Sequence, residues 1–307
     1  MSIHSSIQDH EIPMERFYTY FDVTRQGYAK MKTKFKNQSG LMKKVVREIE
    51  NYRSKIDRRA GSRTLYHNLS IKEKYRIGVT KFEQLVKEWG LSLAPMRVKV
   101  VTTQSCLQSW NYTNLSNGLT LKDINQLVVG DITYVSILEK RYFLFCLIDV
   151  FSSRIVGHHI GKRMRAKEAV QALKVCIKLR GENQLKNFIH HTDGGRQYFS
   201  KAYQLIIKET LDARISVAEN CLANAYAEQR NSILKHHLIP TINLSKITKI
   251  EKEIKRIIYN YNHKRKQKAL GWLTPVEFEL KLKQENFNPK LVLHDHHKNV
   301  PSKRIGF

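Results

Sequence analysis

The sequence predicts a mixed α/β layer fold preceded by a small all-helical domain, and three observations predict it. After residue 122, three apolar, β-rich runs are followed by alternating helix-like and strand-like stretches. Before residue 95, apolar residues recur at helical spacing among many Lys and Arg. Between them, residues 95–122 lack periodicity and carry Ser, Asn, Gly and Thr, as a connection does.

Residues 1–40 are mixed and polar and support no functional reading of their own. From 41 to 58, Leu41, Val45, Ile49 and Tyr52 fall on one stripe of a helix otherwise covered by basic side chains. Residues 62–69 and 81–89 read as two shorter helices, the second opened by Thr80-Lys81-Phe82-Glu83 as a capping box. Three such helices suggest a helix-turn-helix over 41–94. In it Phe82, Leu85, Val86 and Trp89 face a core, while Lys81, Gln84 and Lys87 stay free to meet phosphates or base edges.

In the second region LVVGDITYVSI, RYFLFCLIDVF and RIVGHHI read as successive strands, the first two joined by a short Leu138-Glu139-Lys140 turn. A helix over 166–179 follows, then the strand NFIHHTD, a helix over 202–209, a short strand near Ile215 and a helix over 220–238. A long basic helix is expected between 246 and 265. Thr274-Pro275-Val276-Glu277 then opens the last one, with Thr as cap, Pro at the first position and Glu reaching back. The core is bounded at 123–285, and 286–307 read as a basic tail whose His294-Asp295-His296-His297 run is only weakly metal-like.

The 307 residues suffice for one sizeable core and a smaller domain, and 41% hydrophobic with 26% charged residues is ordinary globular composition. The charge is not ordinary: 54 Lys and Arg against 27 Asp and Glu leave +27, a self-repelling surplus that points to a polyanion. Nucleic acid is the polyanion favoured, because no 18-residue apolar run and no hydrophobic leader suggests a membrane. A cytoplasmic, nucleoid-associated protein is expected. Cys106, Cys146, Cys176 and Cys221 form no C-x-x-C pair and read as reduced packing residues.

Three carboxylates stand out in this frame. Asp131 interrupts an apolar strand, where a charge must be paired, hydrogen-bonded or bound to a cation. Asp193 lies where a second strand passes into Gly194-Gly195, a place where backbone and ligand approach closely. Glu228 shares a polar helical stripe with Asn224, Asn231 and Lys235, opposite a side of Leu222, Ala225, Tyr226 and Ile233 read as buried. Each alone also fits a plain structural role: a strand-end aspartate, an Asp-Gly turn, a solvated helix face. Together they supply hard oxygen ligands of the type Mg²⁺ prefers, able to bridge two ions. On so basic a chain the natural substrate for that chemistry is a phosphodiester.

At these residues the chain resembles the orfB-type transposases of the IS-three family of bacterial insertion sequences, which share the catalytic core of retroviral integrases. The motifs are Gly130-Asp131-Ile132-Thr133-Tyr134, His190-His191-Thr192-Asp193-Gly194-Gly195-Arg196-Gln197-Tyr198 and Cys221-Leu222-Ala223-Asn224-Ala225-Tyr226-Ala227-Glu228. Tyr261-Asn262, Arg265, Leu270-Gly271 and Thr274-Pro275 complete them, and the resemblance covers roughly residues 40–280. Asp193 and Glu228 stand 228 − 193 = 35 positions apart, which looks like the family spacing. Departures are Ala223 for a usual aspartate, Thr192 for a serine and Gln267 for a histidine.

The resemblance implies an RNase H-like integrase core with a mixed central sheet, in which Asp131, Asp193 and Glu228 hold two Mg²⁺ or Mn²⁺ ions. It implies strand cleavage at element ends and 3′-hydroxyl strand transfer. Lys235, with Asn224 on the same stripe, is a candidate DNA contact. Expected partners are element-end and target DNA, further copies of the chain and an upstream-frame DNA-binding protein. The rival readings are a metal-dependent nuclease of the same fold and an inactive, DNA-binding remnant.

Overall fold

The fold is built on one long strand, β2 (Leu127–Ile137), whose alternate side chains enter two different cores. In this computed structural model, residues 13–95, 112–218, 225–243, 249–284, 286–294 and 301–306 are described. They fall into two units, 1–51 and 52–307. Asn224, Ala223, Cys106, Cys221 and the Asp295-His296-His297 run lie outside the described residues.

In the first unit, α1 (Met14–Tyr20) buries Phe17 against Phe21 and Tyr28, with ring centroids 4.7 and 5.3 Å apart. The next helix, α2 (Arg25–Lys55), starts well before residue 41 and crosses into the second unit. Its first half offers no apolar stripe to betray it, whereas Val45, Ile49 and Tyr52 are buried as the spacing predicts. Then come α3 (Ser62–Asn68), α4 (Ile71–Tyr75) and α5 (Val79–Glu88). The expected capping box at Thr80 does not form. The helix starts two residues earlier, at Val79 after Gly78, and Glu83 accepts instead from Arg63 Nε at 2.9 Å.

Within the second unit, α3, α4 and α5 are fastened to the core through Asp57. Its buried carboxylate accepts from Arg265 Nε at 2.8 Å, from His237 Nδ1 at 2.9 Å and from the Arg59 N–H at 3.1 Å. Burial alone would raise this carboxyl. The hydrogen bonds and charges of His237 and Arg265 outweigh it and hold the group below the usual carboxylate range. His67 also stacks on Trp272 at 3.8 Å, and the Lys266 N–H donates to Asn68 at 2.8 Å.

The main sheet has the order β4-β3-β2-β5-β6, with β3 (Lys140–Asp149), β4 (Ile155–Gly161), β5 (Ile189–Thr192) and β6 (Arg214–Val217). The first three strands form an antiparallel meander, while β2, β5 and β6 run parallel. Leu138 and Glu139, at φ 51° and 59°, make the two-residue hairpin turn, and Lys140 already pairs with Ile137. On one face, α6 (Ala166–Arg180) and α7 (Lys201–Leu205) cover the core of Val128, Phe145, Leu147 and Phe188. Gly157 permits the close approach of α6, since a Cβ there would stand 2.5 Å from the Ala172 carbonyl.

The other face carries α8 (Ala225–Ile233), prolonged by a wider turn over Leu234–Leu238, then α9 (Ile250–Lys264) and α10 (Pro275–Lys281). The capping box at Thr274 forms with both hydrogen bonds. Asn262 of α9 holds β4, accepting from the Ile155 N–H at 3.0 Å and donating to its carbonyl at 2.9 Å. The buried face of α8 is Ala227, Asn231, Leu234 and Leu238, rather than the expected Tyr226 and Ile233, which are half-buried. Small Ala227 lets the helix settle on β2, turning Asn231 inward.

Stretches read as connection and tail supply a second sheet. Here β1 (Thr120–Leu121), β7 (Lys290–Val292) and β8 (Lys303–Ile305) pair antiparallel in the order β1-β7-β8. Strands of two or three residues are too short for alternation to reveal. Among the described residues no helix is long and apolar enough to cross a membrane.

Candidate active site

The parallel register of β2 and β5 positions the first two carboxylates. Gly130 pairs with Thr192, so Asp131 and Asp193 are the next residues along neighbouring strands. Gly130 is required beside them. A Cβ there would meet His190 at 3.1 Å and Tyr198 at 3.2 Å on the opposite face, so the motifs that carry Asp131 and Asp193 pack together through this one missing side chain. His190 itself is structural: its Nδ1 donates to the Val128 carbonyl at 3.2 Å and its Nε2 accepts from the Tyr203 hydroxyl at 2.9 Å. Burial lowers it to about 4, so the ring is neutral.

Asp193 leaves the sheet into a turn that needs glycine, since Gly194 has φ 79°. The Gly195 N–H donates to Asp193 Oδ1 at 3.1 Å, and Thr192 Oγ1 accepts from the Gly194 N–H at 3.3 Å. Thr192 thus supplies the hydroxyl that a serine would. Asp193 is exposed at the strand end, yet enough protein surrounds its carboxyl that desolvation raises it, against the opposing Gly195 hydrogen bond.

Glu228 is exposed in the first turn of α8, and desolvation and then the charge of Asp193 raise it. Asp131 is the most perturbed of the three. Burial, reinforced by the charges of Asp193 and Glu228, lifts it to about 6 against a hydrogen bond from Asn231. That bond runs from Asn231 Nδ2 to Asp131 Oδ2 at 2.7 Å. Sequence reasoning placed Asn231 on the polar stripe without giving it a role. Its spacing of three from Glu228 was the available signal, masked because an asparagine on such a stripe reads as solvated.

The three acids are therefore neighbours that repel one another. Among the described residues no three His, Cys, Asp or Glu side chains form a ready-made ligand cluster. The donor set nonetheless fits a divalent cation. All three groups are hard oxygen donors at raised pKa, and Asn231 Oδ1, buried against them, has no hydrogen-bond partner.

The other expected contacts lie where solvent reaches them. Lys235 is half-buried, its Nζ 3.8 Å from the ring centre of exposed Tyr134. Lys81, Gln84 and Lys87 are exposed on α5, with Lys81 donating to Gln84 at 3.2 Å and Gln84 to Glu88 at 2.7 Å.

Two family models, both described as Integrase core domain, match residues 123–220 and 213–275. The chain is similar to the transposase for insertion sequence element IS629 of Shigella sonnei, 26% identical over 85% of this chain and 86% of that protein. It is 33% identical to the transposase for IS904 of Lactococcus lactis over 50% of this chain and 61% of the relative. With transposase InsF for IS3A of Escherichia coli it shares 34% over 51% of this chain and 54% of the relative. Among solved structures, the HTLV-2 integrase catalytic core domain in complex with magnesium is similar at TM-score 0.43 and 19% identity, over 51% of this chain and 97% of that one.

Proposed function

We propose that the chain is an integrase-core transposase of a bacterial insertion sequence, with an RNase H-like core, and that it cuts one strand at an element end and joins the freed 3′-hydroxyl to a new phosphodiester. The integrase-core matches and the similarity to insertion-sequence transposases support this. The observation that carries this reading is the meeting of three mutually repelling carboxylates, two on adjacent parallel strands and one on the helix above, in a chain of net charge +27.

Asp131, Asp193 and Glu228 would hold Mg²⁺ or Mn²⁺, two ions in the full site, which when bound activate the attacking oxygen and stabilise the leaving one. Asn231 holds Asp131 in place and limits how far its proton affinity rises. Lys235, whose Nζ lies over the Tyr134 ring, would meet a phosphate of the bound strand. Lys81, Gln84 and Lys87 on α5, with Asn224, are proposed as further DNA contacts, in a helix-turn-helix over 41–94 ahead of a core over 123–285. DNA ends, target DNA and further copies of the chain are the partners.

The test is strand transfer of a labelled element-end oligonucleotide into plasmid DNA with Mg²⁺ or Mn²⁺. Asp131→Asn, Asp193→Asn and Glu228→Gln should each lower joining by at least a thousandfold while DNA affinity changes less than threefold, because ligands are lost and the basic surface is not. Wild-type joining by any one variant removes that residue from the site. Cleavage without joining by the wild type would replace the proposal with a nuclease.

A further inference from the structure

The stretch before residue 41 has no functional reading as sequence, yet it folds into a helix, a turn of four residues and a second helix, α1, 21–24 and α2. The N–H groups of Phe21 and Val23 close the turn on the carbonyls of Phe17 and Tyr18 at 3.1 and 3.0 Å, and Asp22 takes the left-handed conformation at φ 49°. Thr24 then caps α2. Its hydroxyl accepts from the Gly27 N–H at 3.0 Å and its carbonyl from the Tyr28 N–H at 2.9 Å. Aromatic rings fix the two helices against each other: buried Phe17 meets Tyr28 at 5.3 Å between ring centres, and Tyr18 meets the same ring at 5.7 Å.

That packing decides which face of α2 is left outside. Gly27 and Tyr28 are half-buried, while Arg25, Gln26, Ala29 and Lys30 are exposed and, being one and four positions apart, form one continuous strip at the start of the helix. Lys32, Lys34 and Lys36 are exposed beyond it. Each member of the strip has a counterpart on duplex DNA. Arginine donates in pairs to guanine O6 and N7, glutamine pairs with adenine N6 and N7, and an alanine methyl packs on the thymine methyl. Lysines meet the phosphates on either side. No acid occurs from 25 to 47, so a second copy of this helix laid alongside would bring like charges together, whereas the major groove admits one helix and supplies the opposite charge.

We propose that α1 and the start of α2 are a sequence-reading unit for duplex DNA, with α2 entering the major groove and Arg25 and Gln26 on the base edges. The unit rests on DNA being the substrate and deepens that reading. The helices over 41–94 hold DNA of any sequence in that scheme, and this pair selects which DNA is held. First-helix side chains cross the backbone in such a unit, and exposed Arg16 and Tyr20 of α1 are the ones available for it.

The test uses the full chain and two labelled duplexes, one carrying the element end and one of scrambled order with the same length and composition. In fluorescence anisotropy the wild type should prefer the element end. Gln26→Ala should cut that preference by at least about fivefold while affinity for the scrambled duplex changes less than about twofold, because a base contact is lost and no charge is. Arg25→Ala should cut the preference likewise and weaken both duplexes. Both side chains are exposed, so neither variant disturbs the aromatic packing. When ligands are selected from randomised duplexes, Gln26→Arg should change the preferred base at one position from adenine to guanine, a shift that a structural role would not produce. A wild type without preference, or a preference that survives Gln26→Ala, would overturn the reading unit. So would a preference lost in Gln84→Ala of α5 in place of Gln26→Ala. Joining activity is read separately: a chain that joins DNA but whose preference ignores Gln26 refutes the reading unit alone, and one whose preference depends on Gln26 without joining refutes the proposed function alone.

Discussion

Asn231 decides how Asp131 sits. The aspartate is half-buried, desolvation and like charges raise its proton affinity, and an amide hydrogen bond of 2.7 Å opposes that rise. Asn231→Ala should therefore lower joining at least tenfold and raise the divalent-ion concentration needed for half-maximal rate. It should cost only about 1–2 kcal/mol of stability, the scale of one buried hydrogen bond. Urea unfolding alongside a metal titration of the joining rate checks both, and an unchanged metal requirement would leave Asn231 with packing alone. Asp131 stood out because it interrupts an apolar strand, whereas Asp193 and Glu228, readable singly as an Asp-Gly turn and a solvated helix face, stood out only in combination with it. Asn231 was not legible, since a polar side chain on a polar stripe gives no sign of which way the stripe is rolled; that depends on Ala227, whose small size shows only against β2.

Elements with a strong period were legible and short ones were not. The apolar runs that became β2, β3 and β4 have six or more residues in step, whereas β1, β7 and β8 have two or three. The fastening of α3 to α5 was equally hidden, because Asp57 sits in a basic stretch, Asp57-Arg58-Arg59, that reads as solvated. Its carboxylate, held below the usual range, contributes stability above about pH 4 and loses it as pH falls through the depressed value. Asp57→Asn leaves half-buried Arg265 without its carboxylate and should cost about 3–5 kcal/mol near neutrality. Below pH 4 the gap should close as the wild type loses the same charge. Denaturant midpoints at pH 7 and pH 3 read this directly, and a gap constant across that range would contradict the ion-pair account.

At the scale of the whole molecule, +27 is the dominant fact, and it was fully legible in composition. Self-repulsion should make the free protein more stable as salt rises from about 50 to 300 mM, where the screening length falls to about 5–6 Å. DNA affinity should fall steeply over the same range. Paired melting and binding curves test this, and a midpoint that drops with salt would mean internal ion pairs outweigh the surplus. The order β4-β3-β2-β5-β6 leaves β4 as an outer strand with backbone groups turned away from its neighbour. There the Asn262 amide, gripping both the N–H and the carbonyl of Ile155, imitates the peptide group of a strand that does not exist. A side chain thus blocks the place where another chain could add itself to the sheet, protection that a basic protein crowded onto DNA needs more than most. Asn262→Leu should yield a protein that folds yet self-associates through β4, seen as concentration-dependent light scattering that the wild type lacks.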